Sequence, residues 1–216
     1  IPLQHDIRTL IGWHQNREDV LTGKALHGRW RVLSNTTEAE DPLTSQRIWL
    51  QESTSGKYAL ILNFAHNANL QTLDRHWLVG SEVDATIYYY AGAVPLRAIA
   101  DKIAQPTALR VFQEGVAIAD ALHSVQQALA MNPWLTRYPL VLGDVVVGQA
   151  AASAQSTRQS YLYDRECHLL PIHAKAKAVW KLLSITGGEP AQVFGEWLGD
   201  GFLPLGLWHN ERYWAL

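Results

Sequence analysis

Apolar and polar side chains alternate along this chain in blocks, and the period of the alternation changes from block to block. In the first 20 residues Ile7, Leu10 and Ile11 recur at three- and four-residue steps, the spacing of one helix face, with His14 on the same side. From Arg29 the period shortens. Residues 30–33 read as a short strand. The polar stretch 34–45, with Asp41-Pro42 as a turn signal, reads as a loop. Residues 47–52 and 57–64 are both of β type, and Ser53-Thr54-Ser55-Gly56 joins them as a hairpin in which Gly56 can take a positive φ. A third strand covers 83–90, with Val83, Ala85, Ile87 and Tyr89 on one face and Asp84, Thr86, Tyr88 and Tyr90 on the other. These three strands are expected to lie side by side as an antiparallel meander spanning 47–90.

After Pro95, residues 96–103 read as a short helix. Pro106 then opens a long central helix, about 107–131, in which Leu109, Phe112, Val116, Ala119, Leu122, Val125 and Leu129 form one apolar stripe. Asn132-Pro133 stops it. Residues 138–147 and 160–170 are strands, separated by an Ala-, Ser- and Gln-rich loop at 149–159. A helix at 173–185 is capped by Gly187-Gly188. Residues 192–197, 205–208 and 213–216 are strands, with Asn210-Glu211 as a turn between the last two. The fold class is α+β: mainly antiparallel strands packed with a long central helix and shorter helices. Residues 1–216 are read as one module, and a sub-boundary would fall near 104–106.

Composition narrows the function classes. Of 216 residues, 48% are hydrophobic and 18% charged, below the usual ~25%, so the chain is a compact body and not a disordered segment. Eighteen basic against 20 acidic residues leave a net charge of −2, with no general attraction to phosphate backbones or anionic lipid. Direct nucleic-acid binding and membrane association are therefore not expected. No apolar run is long enough to span a bilayer. The first 20 residues carry Asp6, Arg8, Arg17, Glu18 and Asp19, which is no export signal. With a single cysteine, this points to the cytoplasm. The chain begins at Ile1 and not at Met, so it is expected to be the C-terminal part of a longer protein.

Catalytic motifs are missing. No Gly-x-Ser-x-Gly elbow, phosphate-binding loop or dinucleotide fingerprint is present, and no two of the nine histidines have the His-Glu-x-x-His spacing of metalloproteases. Cys167-His168 and His173, with Asp164 or Glu166, have the residue types of a zinc site. On one continuous strand, however, Cys167 and His168 point to opposite faces, and Cys167 reads as a small buried residue. No catalytic residue and no metal ligand is assigned. The nine tryptophans are spread over most elements, which suits core packing; Trp180, beside Val179, Leu182 and Leu183, is read as core. The strongest candidate for a binding surface is Trp197, Trp208 and Trp214 with Asp200, because large aromatics anchor interfaces and stack on sugars or bases.

Three segments carry a family resemblance. They are 46–52 with 56–65 (QRIWLQE, GKYALILNFA), 84–98 (DATIYYYAGAVPLRA), and 195–201 with Pro204-Leu205 (GEWLGDG, PL). Together they resemble the C-terminal region of bacterial SWIM zinc-finger family proteins, over most of the chain from about Arg29. The motif of that family is a Cys-x-Cys…Cys-x-His zinc site, which this chain lacks. The resemblance implies that zinc belongs to a module upstream of Ile1 and that no residue here holds a cofactor. The resulting expectation is a non-catalytic protein-interaction module of a SWIM-type protein. The alternatives are an aromatic-lined module for glycan or single-stranded nucleic acid, and an enzyme whose His/Asp site assembles from distant residues.

Overall fold

The structure is a computed structural model that describes residues 2–40, 42–66, 73–74, 76–112, 114–149 and 159–216. Its described residues form twelve strands in two mostly antiparallel sheets and four helices, an α+β fold dominated by β structure. The chain divides into two compact units, Ile1–Arg110 and Val111–Leu216, each with its own hydrophobic core.

The first unit begins with α1 (Pro2–Leu10) and the short α2 (Arg17–Leu21), then builds a barrel from β1 (Ala25–Glu40), β2 (Leu43–Glu52), β3 (Tyr58–His66), β4 (Ser81–Tyr89) and β5 (Arg97–Asp101). The long β1 is shared. Its first half pairs with β4 (Leu26 opposite Ile87) and its second half with β2 (Asn35 opposite Ile48), with a register shift between Val32 and Ser34. β2 pairs antiparallel with β3, β3 parallel with β5, and β5 antiparallel with β4. The sheet therefore closes on itself in the order β1-β2-β3-β5-β4-β1, the topology of an OB-type Greek-key barrel. Alternation fills its interior: Trp30, Val32, Ile48, Leu50, Ala59, Ile61, Val83, Ala85, Ile87 and Ala98 point inward.

In the connection from β3 to β4, Trp77 is buried in the same core. Its indole N–H donates to Asp74 Oδ2 at 2.8 Å. Gln46, buried on β2, ties that connection to the barrel. Its amide donates to the Asp74 carbonyl (2.8 Å) and Asn35 Oδ1 (3.0 Å), and accepts from Asp74 N–H and Asn63 Nδ2 (both 3.0 Å). Every polar atom of this buried amide is paired, so it specifies the position of the connection without leaving a desolvated group.

Several expectations for this unit are corrected. The stretch 34–45 is not a loop: β1 runs through to Glu40 and β2 starts at Leu43, and Asp41 of the expected turn lies outside the described residues. The 47–90 meander is interrupted. β2 and β3 are neighbours, but β4 pairs with β1 and β5, not with β3. Residues 96–103 are not a helix. Arg97–Asp101 is the strand β5 that fills the slot between β3 and β4, because closing the barrel satisfies backbone groups on both neighbours.

The second unit is a sheet in the order β12-β11-β10-β7-β8-β9. Its strands are β7 (Tyr138–Gln149), β8 (Ser160–Tyr163), β9 (Leu169–Pro171), β10 (Ala191–Trp197), β11 (Phe202–His209) and β12 (Arg212–Ala215). α3 (Ile118–Met131) and α4 (Val179–Thr186) pack Ile118, Ala121, Val125 and Leu182 onto one face, over Leu142, Val145, Leu162, Val193, Phe202 and Leu207. The long central helix expected at 107–131 is not formed. Thr107 and Ala108 instead make β6 (Thr107–Ala108), pairing with Glu82 and Ser81 of β4 in the first unit. Gly115 and Val116 lie against β7, where Val116 N–H donates to the Val141 carbonyl (3.0 Å) and Gly143 N–H to the Val116 carbonyl (2.9 Å). Only 118–131 is helical. The apolar spacing of Leu109, Phe112 and Val116 matched a helix by coincidence, and backbone pairing in β structure overrode it.

The strand read at 160–170 is two strands joined by a tight loop at 164–168. Cys167 sits in that loop, exposed and with φ of 62°, so it is not the buried strand residue expected from alternation. The loop read at 149–159 falls mostly on residues outside the description. Trp180 is also corrected: it is 67% exposed. α4 starts only at Val179 and faces its core with Val179, Leu182 and Leu183, which puts residue 180 on the opposite side of the helix.

Candidate functional site

The four residues singled out by sequence lie at different places in the second unit. Trp197 and Trp214 pack, half-buried, against the core on the helix-covered side. Their partners on β11, Phe202 and Leu207, are five residues apart, so the two indoles are separated by roughly 15 Å along the strand. Trp208 follows Leu207 and therefore points to the other face, where it stacks on Phe112 with ring centroids 5.6 Å apart. Tyr213 joins that stack at 5.4 Å from Phe112. Arg212 lies over the Trp214 ring at 4.1 Å. Asp200 is an exposed carboxylate in the turn between β10 and β11, where Gly199 takes φ of 94°. The structure therefore does not gather Trp197, Asp200, Trp208 and Trp214 into one surface.

The aromatic stack depends on Gly206. A Cβ there would fall on the Tyr213 phenol, so glycine opens the seat on which the ring lies. Gly206→Ala is expected to unseat Tyr213, expose Trp208 and cost about 1–3 kcal/mol, the usual range for overpacking. Urea denaturation followed by tryptophan emission checks this through a lowered midpoint and a red-shifted native spectrum.

Histidine–carboxylate pairs are present, and in one of them both ring nitrogens are committed. His173 accepts the Lys175 N–H at Nδ1 (3.1 Å), which leaves Nε2 as the donor to Asp200 Oδ1 at 3.2 Å. With both ring nitrogens engaged, this imidazole has no lone pair left for general-base work. His168 Nδ1 shares Asp164 Oδ2 at 3.1 Å. His76 Nδ1 meets Asp74 Oδ1 at 2.7 Å beside the barrel connection, and His209 stands 3.9 Å from Glu189. The nearest approach to a nucleophile pair is His27 Nδ1 with Thr86 Oγ1 at 2.7 Å. Among the described residues no partner orients the other ring nitrogen of His27, and Thr86 is buried. Among the described residues no group of three or more His, Cys, Asp or Glu is placed to hold a metal ion.

Asp164 is a heavily bonded carboxylate. Oδ1 accepts the N–H of His168 (2.9 Å) and Glu166 (3.1 Å), and Oδ2 accepts the N–H of Ile118 (3.2 Å) at the start of α3. It thus fixes the 164–168 loop and caps α3, whose own N-cap residue, Ala117, has no side-chain oxygen to offer. Burial alone would raise its pKa. The hydrogen bonds from His168 and Ile118, and the charge of His168, outweigh burial and hold the carboxyl below its ordinary range.

The surface that stands out is α1. None of its residues is buried. Ile7, Leu10, Ile11 and Trp13 are 42%, 56%, 65% and 69% exposed, and the first three fall on one helix face. Polar side chains hold this segment on the barrel loop that follows β4. Asp6 Oδ2 accepts the Ala93 N–H at 2.8 Å. Gln15 donates to the Ala91 carbonyl (2.9 Å) and accepts the Ala91 N–H (3.1 Å). The sequence shows the periodicity of this face. It gives no sign that this face is exposed, nor that Asp6 and Gln15 reach residues 87 and 76 positions away.

Comparison with family models, with curated proteins and with solved structures finds no match for this chain. The likeness of the first unit to an OB-type barrel rests on its strand order and sense. Among the described residues no helix is long and apolar enough to cross a membrane.

Proposed function

We propose that this chain is a non-catalytic protein-interaction module, acting in the cytoplasm, that docks α1 into an apolar groove of a partner protein. The observation that carries this reading is the exposed face of Ile7, Leu10 and Ile11, continued by Trp13. Contiguous exposed apolar surface on a folded domain marks an interaction site, and anchors at i, i+3 and i+4 are those of helix-in-groove recognition. The polar pins at Asp6 and Gln15 present the helix in a set orientation, which lowers the ordering cost of docking. The resemblance to the C-terminal region of SWIM zinc-finger proteins supports the same reading, with zinc held by an upstream module.

The test is site-specific photocrosslinking from position 11 in cells, using the full-length gene product. A discrete adduct with one protein is expected, and it should disappear in Ile7→Ser/Leu10→Ser. The interaction should weaken by about tenfold or more, since two buried aliphatic anchors contribute roughly 1.5–3 kcal/mol each. A smear unaffected by the double substitution would end this reading.

A second reading, an oligonucleotide or oligosaccharide ligand on the barrel, is favoured by the OB-type strand order. Charge weighs against a nucleic-acid polymer: residues 1–110 carry 11 Lys and Arg and 11 Asp and Glu. Unchanged tryptophan emission across oligonucleotides and oligosaccharides would remove it.

A further inference from the structure

We infer that a groove on the outside of the barrel, between β1, β4 and the segment after β5, is a binding site for a small phosphorylated compound. The groove has a volume of about 700 Å³, within the range of small-molecule sites. Its floor is the β1–β4 ladder at Gly28 opposite Ala85, where Ala85 turns its methyl group to the barrel interior and Gly28 has no side chain, which leaves the backbone of the ladder on the outer face. Gly28 is needed for a further reason. A Cβ there would press on the Glu52 carboxylate at 3.1 Å, and that carboxylate holds the 53–56 turn through the N–H groups of Thr54 and Ser55.

Three nitrogen-bearing side chains from two elements line this groove: His27 and Arg29 from β1, and Lys102 just beyond β5. His27 and Arg29 lie two apart on one strand and so share its outer face. His27 contacts Thr86 through Nδ1, which leaves Nε2 for a ligand. Arg29 has a loose partner in Asp84 at 3.8 Å, with both side chains more than 60% exposed, so water already screens the pair and an anion can compete for the guanidinium. Lys102 is held at φ of 50°, a conformation that side chains other than glycine rarely adopt, and the Ala104 N–H to Asp84 carbonyl bond (2.9 Å) anchors the segment that carries it. Thr54, Ser53, whose hydroxyl donates to Glu82 Oε1 (3.0 Å), and the Asp84 carboxylate that pairs with Arg29 complete the wall. Among the described residues the lining holds no Trp, Tyr or Phe, so it lacks the broad stacking platform that oligonucleotides and glycans use. Point cations with no broad aromatic platform are the chemistry of phosphate recognition on a small molecule.

Isothermal titration of the full chain with inorganic phosphate and with glucose 6-phosphate tests this, with glucose as the neutral control. Both phosphate probes are expected to bind and glucose is not. Lys102→Gly is the informative variant, because glycine accepts the backbone conformation at 102 without strain. It should keep or raise the melting temperature while weakening both phosphate probes by about tenfold or more, the loss expected for one charge-assisted contact. Arg29→Gln should do the same to binding. The site is disproved if neither phosphate probe binds, or if binding is unchanged in both variants. This outcome is independent of the docking of α1, which uses other residues.

Discussion

Gly115→Ala is expected to destabilise residues 111–216 by about 3 kcal/mol or more, a large loss for one added methyl group. At this point the strand-like segment before α3 crosses β7 with backbone against backbone. A Cβ on Gly115 would meet the Gly143 nitrogen and the Leu142 carbonyl carbon, and a Cβ on Gly143 would lie 2.6 Å from the Gly115 oxygen. Neither obstacle is the end of a flexible side chain, so relief requires the two segments to part. Parting them breaks the paired bonds between Val116, Val141 and Gly143, and also the bond from Gly115 N–H to Gln192 Oε1 (2.9 Å). Each lost bond leaves backbone groups to find water or remain unpaired. Val116→Ala is the control. Its side chain is exposed, so it should change stability by only about 0.5 kcal/mol. Equilibrium urea unfolding of the two variants beside the parent chain checks the contrast. Equal midpoints for Gly115→Ala and Val116→Ala would refute the backbone crossing.

Asp164→Ala is the second large effect, about 3 kcal/mol. The carboxylate accepts three backbone N–H bonds and one imidazole contact while almost fully buried. Removing it strands several donors, each of which costs about 1–3 kcal/mol if it stays buried, less where the exposed 165–167 loop lets water in. Asp164→Asn keeps one acceptor oxygen and should lose about half as much. The two proteins should also differ with pH. The folded-state pKa of Asp164 is lowered, so its ionised form contributes stability that is fully present above the ordinary Asp value near 4. That stability is lost as the pH falls through the lowered folded value. The parent chain should therefore be more stable than Asp164→Asn at pH 6, and the gap should narrow progressively on acidification below pH 4. Urea midpoints measured at a series of pH values check this, and a gap that widened toward low pH would contradict the assignment.

What could be read in advance follows from the range of the signal. The hairpin at 53–56 was legible because Gly56, at φ of 70°, is a local requirement of a tight turn. The last hairpin was legible for the same reason, with Asn210 and Glu211 both at positive φ between β11 and β12. Gly187 closes α4 at φ of 62°, and its N–H donates to the Leu183 carbonyl. The misreadings lie where a partner far along the chain decides. Residues 97–101 became a strand because β3 and β4 had an open slot between them. Thr107, Ala108 and Val116 stayed out of the helix because β4 and β7 claimed their backbone groups. Trp180 turned outward because tertiary packing sets the rotation of α4 so that Val179, Leu182 and Leu183 face the core.

The candidate surfaces divide in the same way. Trp197, Trp208 and Trp214 are prominent in sequence but are distributed over two faces and two ends of one sheet. Ile7, Leu10, Ile11 and Trp13 are an ordinary helical repeat in sequence and become noticeable only because the structure leaves them uncovered. The groove at His27, Arg29 and Lys102 has no sequence signature, since it brings together residues 75 positions apart.

By itself the sequence determined the predominance of antiparallel β structure, the tight turns, the helical face of the first residues, the lack of excess basic charge and the absence of catalytic motifs. These depend on side-chain period, backbone conformation and composition, all of which act over a few residues or over the chain as a sum. The tertiary structure alone decided the closure of the first sheet into an OB-type barrel, the division into two cores and the crossing at Gly115 and Gly143. It alone also decided which apolar face remains in water. Strand order and burial are set by which distant segments satisfy one another's hydrogen bonds and cover one another's apolar surface, and neither is written in any local pattern.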